Sequence, residues 1–203
     1  MTLSAELAIL GGGAGKRLGY IRKSQIKIGE ETIIQRQVRK LSPFFKGVLY
    51  ITSPSEKKIE LPPGVKMVFD IEPGEGPLMG LLTGLKNASS EGIFLIGCDM
   101  PFIKGGLVKK ILSYAQKGYE IVSPLSEKGP EPLASFYSRS ILSLVERAYK
   151  RGERRLISLF SEAETYYLEK SEVKSIDPDM ISFFNINKPS DLKKAQELIE
   201  KYV

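Results

Sequence analysis

Val65-Lys66-Met67-Val68-Phe69, then Leu78, Leu81, Leu82 and Leu85, then Ile93-Phe94-Leu95-Ile96, decide the fold. The two outer runs are short, apolar and rich in β-branched residues, as buried strands are. The leucines between them recur at i, i+3, i+4 and i+7, which is one face of a helix. A strand, a helix and a strand in that order make a βαβ unit, whose strands run parallel and whose helix covers one sheet face.

The alternation continues in both directions. Upstream, Leu7 to Leu10 reads as a buried first strand that stops at Gly11-Gly12-Gly13. Thr32 to Leu41 places Ile34, Val38 and Leu41 at helical spacing, and Val48 with Tyr50 marks another strand. Downstream, a helix with Leu107, Ile111, Leu112 and Ala115 leads to a strand at Ile121-Val122. A turn at Gly129-Pro130 and a strand from Leu133 to Tyr137 follow, then helices carrying Ile141, Leu142, Val145 and Tyr149 and finally Leu192, Ala195, Ile199 and Tyr202, with Pro189 in the first turn of the last. The expectation is a three-layer α/β sandwich with a mostly parallel central sheet. With no repeat, low-complexity tract or long linker, residues 1–203 are expected to form one domain.

Composition narrows the chemistry. The 203 residues include no histidine, which removes every mechanism that needs an imidazole as base, nucleophile activator or metal ligand. One cysteine, Cys98, cannot form an internal disulfide, and a reducing, cytoplasmic setting is expected. No run reaches the roughly eighteen apolar residues of a spanning helix, and the amino terminus lacks an export pattern. The net charge of +6 is unevenly placed: residues 1–60 hold 11 Lys and Arg against 5 Asp and Glu, and the remainder is balanced. Lys16, Arg17, Arg22, Lys23 and Lys27 crowd around a glycine-rich loop, a placement that suits a small polyphosphate better than a nucleic acid.

That loop, Leu10-Gly11-Gly12-Gly13-Ala14-Gly15-Lys16-Arg17-Leu18-Gly19, lets backbone amides approach anionic oxygens, while Arg17 and Lys23 supply countercharge. A Walker loop would need glycine at 10 and Ser or Thr at 17, and a dinucleotide fingerprint glycine at 16, so neither pattern is met. Asp99, in Gly97-Cys98-Asp99-Met100-Pro101-Phe102, follows the apolar run 93–96. Ligands of open α/β sheets bind beyond the carboxyl ends of strands, which makes Asp99 the first candidate for a Mg²⁺ ligand. Asp70 ends its own strand and belongs to the same sheet edge. Gly80 and Gly84, costly inside a helix, imply close packing or close ligand approach. Cys98 reads as a small buried residue rather than a nucleophile. Arg154 and Arg155 suit an anionic second substrate, and Asn185 and Asn187, two apart on an extended segment, point to one side.

Taken in order, Leu10-Gly11-Gly12-Gly13, Arg17-Leu18-Gly19 with Lys23, Gly76-Pro77-Leu78-Met79-Gly80, Cys98 to Phe102, Glu131-Pro132-Leu133, Gly152-Glu153-Arg154-Arg155 and Asn185-Ile186-Asn187 through Leu192 resemble the molybdenum cofactor guanylyltransferase family of the MobA type. The resemblance implies a Rossmann-like fold of the nucleotide-diphospho-sugar transferase type. It also implies GTP and molybdopterin as substrates, and Mg²⁺. By position it assigns Leu10, Gly11, Gly12, Lys23, Asp70 and Asp99 to the nucleotide, with Asp99 on the metal. Gly13 belongs to the same loop, and Arg17, Lys23 and Asp99 are the candidate catalytic residues. Arg154, Arg155, Asn185 and Asn187 are the candidates for the acceptor. Transient contacts with cofactor-carrying or molybdoenzyme proteins are expected, and none with nucleic acid or membrane. The chain departs from the pattern at Leu18, usually Met; at Arg22, often Asp; at Lys188, usually Thr; and at Thr52-Ser53-Pro54, where the family can carry a nucleotide-binding Asn. A cytidylyl- or sugar-phosphate nucleotidyltransferase, which usually shows Leu-Ala-Ala-Gly at the first loop, and a nucleotide-binding module without turnover are the alternatives. A metal-dependent glycosyltransferase would want Asp-x-Asp, which Met100 and Pro101 break.

Overall fold

A computed structural model of the chain describes residues 3–11, 22–56 and 58–202. Its centre is one sheet built from β1 (Ala5–Leu10), β4 (Val48–Thr52), β5 (Val65–Phe69), β6 (Gly92–Gly97), β7 (Ile121–Ser126), β8 (Gly129–Pro130), β9 (Ala134–Ser138) and β10 (Thr165–Leu168). The strand order is β10-β7-β9-β6-β1-β4-β5, with β8 paired to β7. β5, β4, β1 and β6 are mutually parallel, and β9 runs antiparallel between β6 and β7. A small hairpin of β2 (Lys27–Ile28) and β3 (Glu31–Thr32) stands apart.

The side-chain alternation of β1 explains the layers. Leu7 and Ile9 pack with Ile34, Val38 and Leu41 of α1 (Ile33–Leu41), with Leu107, Val108 and Ile111 of α3 (Gly105–Ala115), and with Val173 of α5 (Lys170–Ile176). Ala8 faces the other side, against α2 (Pro77–Asn87) and α4 (Leu142–Lys150), where Leu78, Leu81, Leu82, Leu85, Leu144 and Val145 are buried. Successive residues of a strand face opposite layers, and a strand covered on both sides reads as one apolar run. The last helix, α6 (Pro189–Tyr202), joins a smaller cluster with Ile26, Ile28, Phe102 and Ile186 through Ala195.

Local chemistry sets the boundaries. Thr32 caps α1 by accepting from the Gln35 amide, while the Gln35 side chain accepts from the Thr32 amide. α2 needs Gly84 because a Cβ there would lie 2.8 Å from Ile93 Cδ1 and 3.0 Å from Ile51 Cδ1 of the underlying sheet. Gly80 likewise lies on Leu10, whose Cδ2 would be 2.7 Å from an added Cβ. Close packing therefore accounts for both helical glycines.

Three sequence expectations need correction. Gly129-Pro130 is not the turn but the short strand β8; the turn is Glu127-Lys128, and Gly129, at φ +105°, closes the hairpin. The strand from Leu133 to Tyr137 runs 134–138 and against its neighbours. β10 and α5 have no counterpart in the sequence reading, because Thr165 to Leu168 is a short edge strand with two tyrosines exposed or half-buried, without a clear period.

Candidate functional site

Parallel register brings the carboxyl ends of the central strands level. Leu10 pairs with Ile51 on one side and Gly97 on the other, and Thr52 pairs with Phe69. The ladder continues one step further: the Gly11 amide donates to Ile51 O (2.7 Å), Cys98 N to Leu10 O (2.9 Å) and Asp70 N to Thr52 O (2.9 Å). Gly11, Asp70 and Asp99 thus leave the sheet along one edge. The chain passes from β1 to β4 on one side and reaches β6 on the other, so this edge contains the topological switch point, where open α/β sheets place ligands.

A cleft of about 370 Å³ opens there, lined by Leu10, Gly11, Asp70, Gly76, Gly80 and Asp99 among others. Lys23 Nζ donates to Asp99 Oδ2 at 2.8 Å and to Asn187 Oδ1 at 2.6 Å. Both side chains of the ion pair are largely shielded, 17% and 18% exposed, which strengthens their attraction over a surface pair. The Asn187 end is fixed by its own segment: Ile186, fully buried, donates its amide to Asp99 O at 3.0 Å. Asp191 accepts from the amides of Asn187 and Lys188, closing the start of α6 where a threonine is missing.

The Asp99 turn is braced from below. Buried Gln37 donates through Nε2 to Gly97 O (2.8 Å) and Met100 O (3.0 Å), and buried Arg36 donates through Nε to Pro101 O (3.1 Å). Neither residue figured in the sequence reading. The available signal was a pair of polar residues interrupting the apolar side of α1, between Ile34 and Val38. Tyr50, also buried, reaches Ser24 Oγ at 2.9 Å and so ties β4 to the turn that begins at Lys23. Its hydroxyl lies beneath Gly11, 2.7 Å from where a Cβ would stand, with Thr52 Oγ1 at 3.0 Å. Packing on Tyr50 therefore requires glycine at 11, independently of any ligand.

Asp70 faces the cleft with Oδ1 buried and without a hydrogen-bond partner among the described residues. Burial raises its carboxyl above the usual range, partly offset by a hydrogen bond from Thr83. Thr52 Oγ1, at the end of β4, is committed to Glu56 (2.8 Å). Cys98 is buried.

A second cleft of about 280 Å³ shares Pro77 and Leu133 with the first and is lined also by Met100, Glu131, Arg155 and Asn185. Here the two arginines part company. Arg154 is held by Glu75, Nε to Oε2 at 2.6 Å, and lies over the Tyr149 ring; its carbonyl accepts from Leu78 N at the start of α2. Its guanidinium sits in a part-exposed ion pair, with the side chain 42% exposed, so it is less free than Arg155 to meet a substrate. Arg155 is exposed and, among the described residues, its guanidinium has no ionic or hydrogen-bonding partner. Asn185 faces this cleft and donates to Phe183 O (2.9 Å), whereas Asn187 belongs to Lys23. Gly12, Gly13, Lys16 and Arg17 lie outside the described residues.

Residues 7–166 match the model of the MobA-like NTP transferase domain. The chain belongs to the MobA-like NTP transferase family. Among relatives, a protein of Peptoclostridium acidaminophilum named as a probable molybdenum cofactor guanylyltransferase is 30% identical over 98% of this chain and 91% of its own. The molybdopterin-guanine dinucleotide biosynthesis protein A of Archaeoglobus fulgidus superposes with a TM-score of 0.81 at 26% identity, covering 97% of this chain and 99% of that one. The 2-C-methyl-D-erythritol 4-phosphate cytidylyltransferase of Thermus thermophilus shares the fold at a TM-score of 0.70 and 16% identity, over 98% and 100% of the two chains. The MobA-like chain is thus a nucleotidyltransferase with the Rossmann-like sheet expected from its sequence. The same sheet also serves a cytidylyl enzyme, so the fold by itself leaves the base open.

Proposed function

We propose that this nucleotidyltransferase moves GMP from GTP onto the terminal phosphate of molybdopterin, releasing pyrophosphate and forming a molybdenum guanine dinucleotide cofactor. The observation that carries the reading is the meeting of Gly11, Lys23 and Asp99 at the switch point, with a second cleft opening from it past Pro77 and Leu133. The names of the relatives supply the two substrates.

The donor set fits Mg²⁺. Asp99 offers a hard carboxylate at the cleft, and among the described residues no cluster of three metal-binding side chains exists. That suits an ion completed by substrate phosphates and water rather than a protein cage. Bound at Asp99, Mg²⁺ would neutralise charge developing on the phosphate oxygens. Lys23 supplies the second countercharge, and Asn187 keeps its ammonium at the cleft. The backbone at Leu10 and Gly11 lines the same cleft, and Arg17 joins the charge balance in the sequence reading. In the reaction, an acceptor phosphate oxygen bonds to the α-phosphorus of GTP as the bond to the β-phosphate bridging oxygen breaks. A phosphate monoester is already ionised at neutral pH, so no general base is demanded of a chain without histidine. Catalysis then rests on positioning and charge neutralisation. A cytoplasmic setting and transient contacts with proteins that deliver or receive the cofactor belong to the same reading. No helix among the described residues is long and apolar enough to cross a membrane.

The test is initial pyrophosphate release at equal concentrations of GTP, CTP and ATP, with and without molybdopterin, in Mg²⁺ or excess chelator. Release should require GTP, molybdopterin and Mg²⁺ together. Faster turnover of CTP would give the site to the cytidylyl alternative, and nucleotide binding with no release under any condition would leave a binding module.

A further inference from the structure

The Glu131-Pro132-Leu133 motif has no part in the chemistry so far, yet the fold holds it firmly. Glu131 N donates to Pro124 O (3.0 Å), and Glu131 O accepts from Ala134 N (2.9 Å) and Ser135 Oγ (2.7 Å). Pro132 O accepts from buried Tyr137 Oη at 2.8 Å. A turn with three carbonyl and amide groups committed in this way presents its side chain from a fixed base.

The Glu131 carboxylate stands where two clefts meet. It lines the second cleft, with Arg155 and Asn185, and also a third of about 400 Å³ formed by Met180, Phe183, Phe184 and Lys194. The first two clefts share Pro77 and Leu133, and the second and third share Glu131, so the lining runs residue by residue from Asp99 to the phenylalanines. No salt bridge claims this carboxylate among the described residues. Burial raises its pKa, and only the Ser126 hydroxyl and the charge of Lys128 work against that. A half-buried carboxylate eased only by a hydroxyl and the charge of Lys128 is costly to keep ionised unless something further pairs with it.

We infer that Glu131 is a specificity-determining residue that reads the donor edge of the acceptor's pterin ring. The inference rests on the proposed guanylyl transfer. A pterin carries a ring N–H beside an exocyclic amino group, two donors spaced like those that a carboxylate accepts from a guanidinium, and ionised Glu131 offers two acceptors. Apolar walls at Met180, Phe183 and Phe184 suit the flat ring, and Arg155, exposed in the cleft that Glu131 also lines, suits the phosphate. Guanine bears a similar edge, but Glu131 does not line the nucleotide cleft, where Asp70 provides the carboxylate.

Steady-state kinetics of the full chain with GTP and molybdopterin test this for the native protein, Glu131→Gln and Glu131→Asp, alongside binding of 6-hydroxymethylpterin followed by its fluorescence. Glu131→Gln turns one acceptor into a donor facing donors. It should raise KM for molybdopterin at least about tenfold, keep KM for GTP within about twofold, and weaken hydroxymethylpterin binding in parallel. Glu131→Asp should fall between, which separates recognition from folding. An unchanged molybdopterin KM in Glu131→Gln, or a rise confined to GTP, overturns the inference. A native enzyme without molybdopterin-dependent release overturns the guanylyl reading instead, and hydroxymethylpterin binding that Glu131→Gln leaves untouched then overturns the inference as well.

Discussion

Asp99 and Asp70 are two carboxylates on one sheet edge in opposite electrostatic settings. Asp99 has the Lys23 ammonium at 2.8 Å, whereas Asp70 has a buried oxygen with no partner among the described residues. Under the proposed function Asp99→Asn should leave the fold intact and lower turnover by at least about a hundredfold, since about 3 kcal/mol is a modest share for the metal ligand proposed there. Initial pyrophosphate release at saturating Mg²⁺ measures this, and near-native rates would remove Asp99 from the chemistry. Asp70→Asn should act on stability in the other sense. Burial raises its folded pKa above the unfolded value. The ionised form is therefore less favourable in the folded chain, a cost fully present above the folded pKa and relieved as pH falls below the unfolded one. Asparagine should raise Tm near pH 8, with the gain fading as pH falls and the native carboxyl takes up its proton. A gain that grows on acidification would contradict this. Under the proposed function the same change weakens GTP.

At the scale of elements, α1 acts on the site without touching the cleft. Through Gln37 and Arg36 it holds three carbonyls of the turn that carries Asp99. Gln37→Leu takes the partner from Met100 O and leaves Gly97 O with only the Met100 amide at 3.3 Å, an expected loss of about 1–3 kcal/mol of stability. It should also raise the Mg²⁺ concentration for half-maximal rate, because the turn is no longer held. Val38→Ala, on the same helix but turned to the sheet, should lose stability without moving the Mg²⁺ requirement. Equal Mg²⁺ dependence in the two variants would show that α1 only packs. The Gly152–Arg154 segment works similarly on α2. Gly152, at φ +90°, reverses the chain after α4, and Arg154 then pairs with Glu75 and accepts from Leu78 N beside the cleft.

Across the whole molecule, one sheet runs from Ala5 to Leu168 with helices on both faces, and the small α6 cluster adjoins it through Phe102. We expect one cooperative unfolding transition in urea, with far-ultraviolet dichroism and tyrosine signals coinciding; the chain has nine tyrosines and no tryptophan. GTP with Mg²⁺ at about a hundred times its Kd should stabilise by about 2.7 kcal/mol. Two separated transitions would divide the chain into more than one unit.

Much of this was legible from the chain alone. The strand-helix-strand order, the covering of both sheet faces and the positions of Gly11, Asp70 and Asp99 at strand ends follow from local period and turn residues, which act over a few neighbours and leave their mark in consecutive sequence. The short edge strand at Thr165 to Leu168 was not legible, because an edge strand is specified by its partner Ile121 to Pro124 rather than by its own pattern. Nor were the pairings across 76 and 164 positions that put Lys23 on Asp99 and Asn187, the burial of Gln37 beneath the Asp99 turn, or the division of labour between Arg154 and Arg155. A side chain's charge is written in the sequence. Whether that charge is paired within the chain, as at Arg154, or left facing a cleft, as at Arg155, depends on which distant segment packs beside it, and only the tertiary structure decides that.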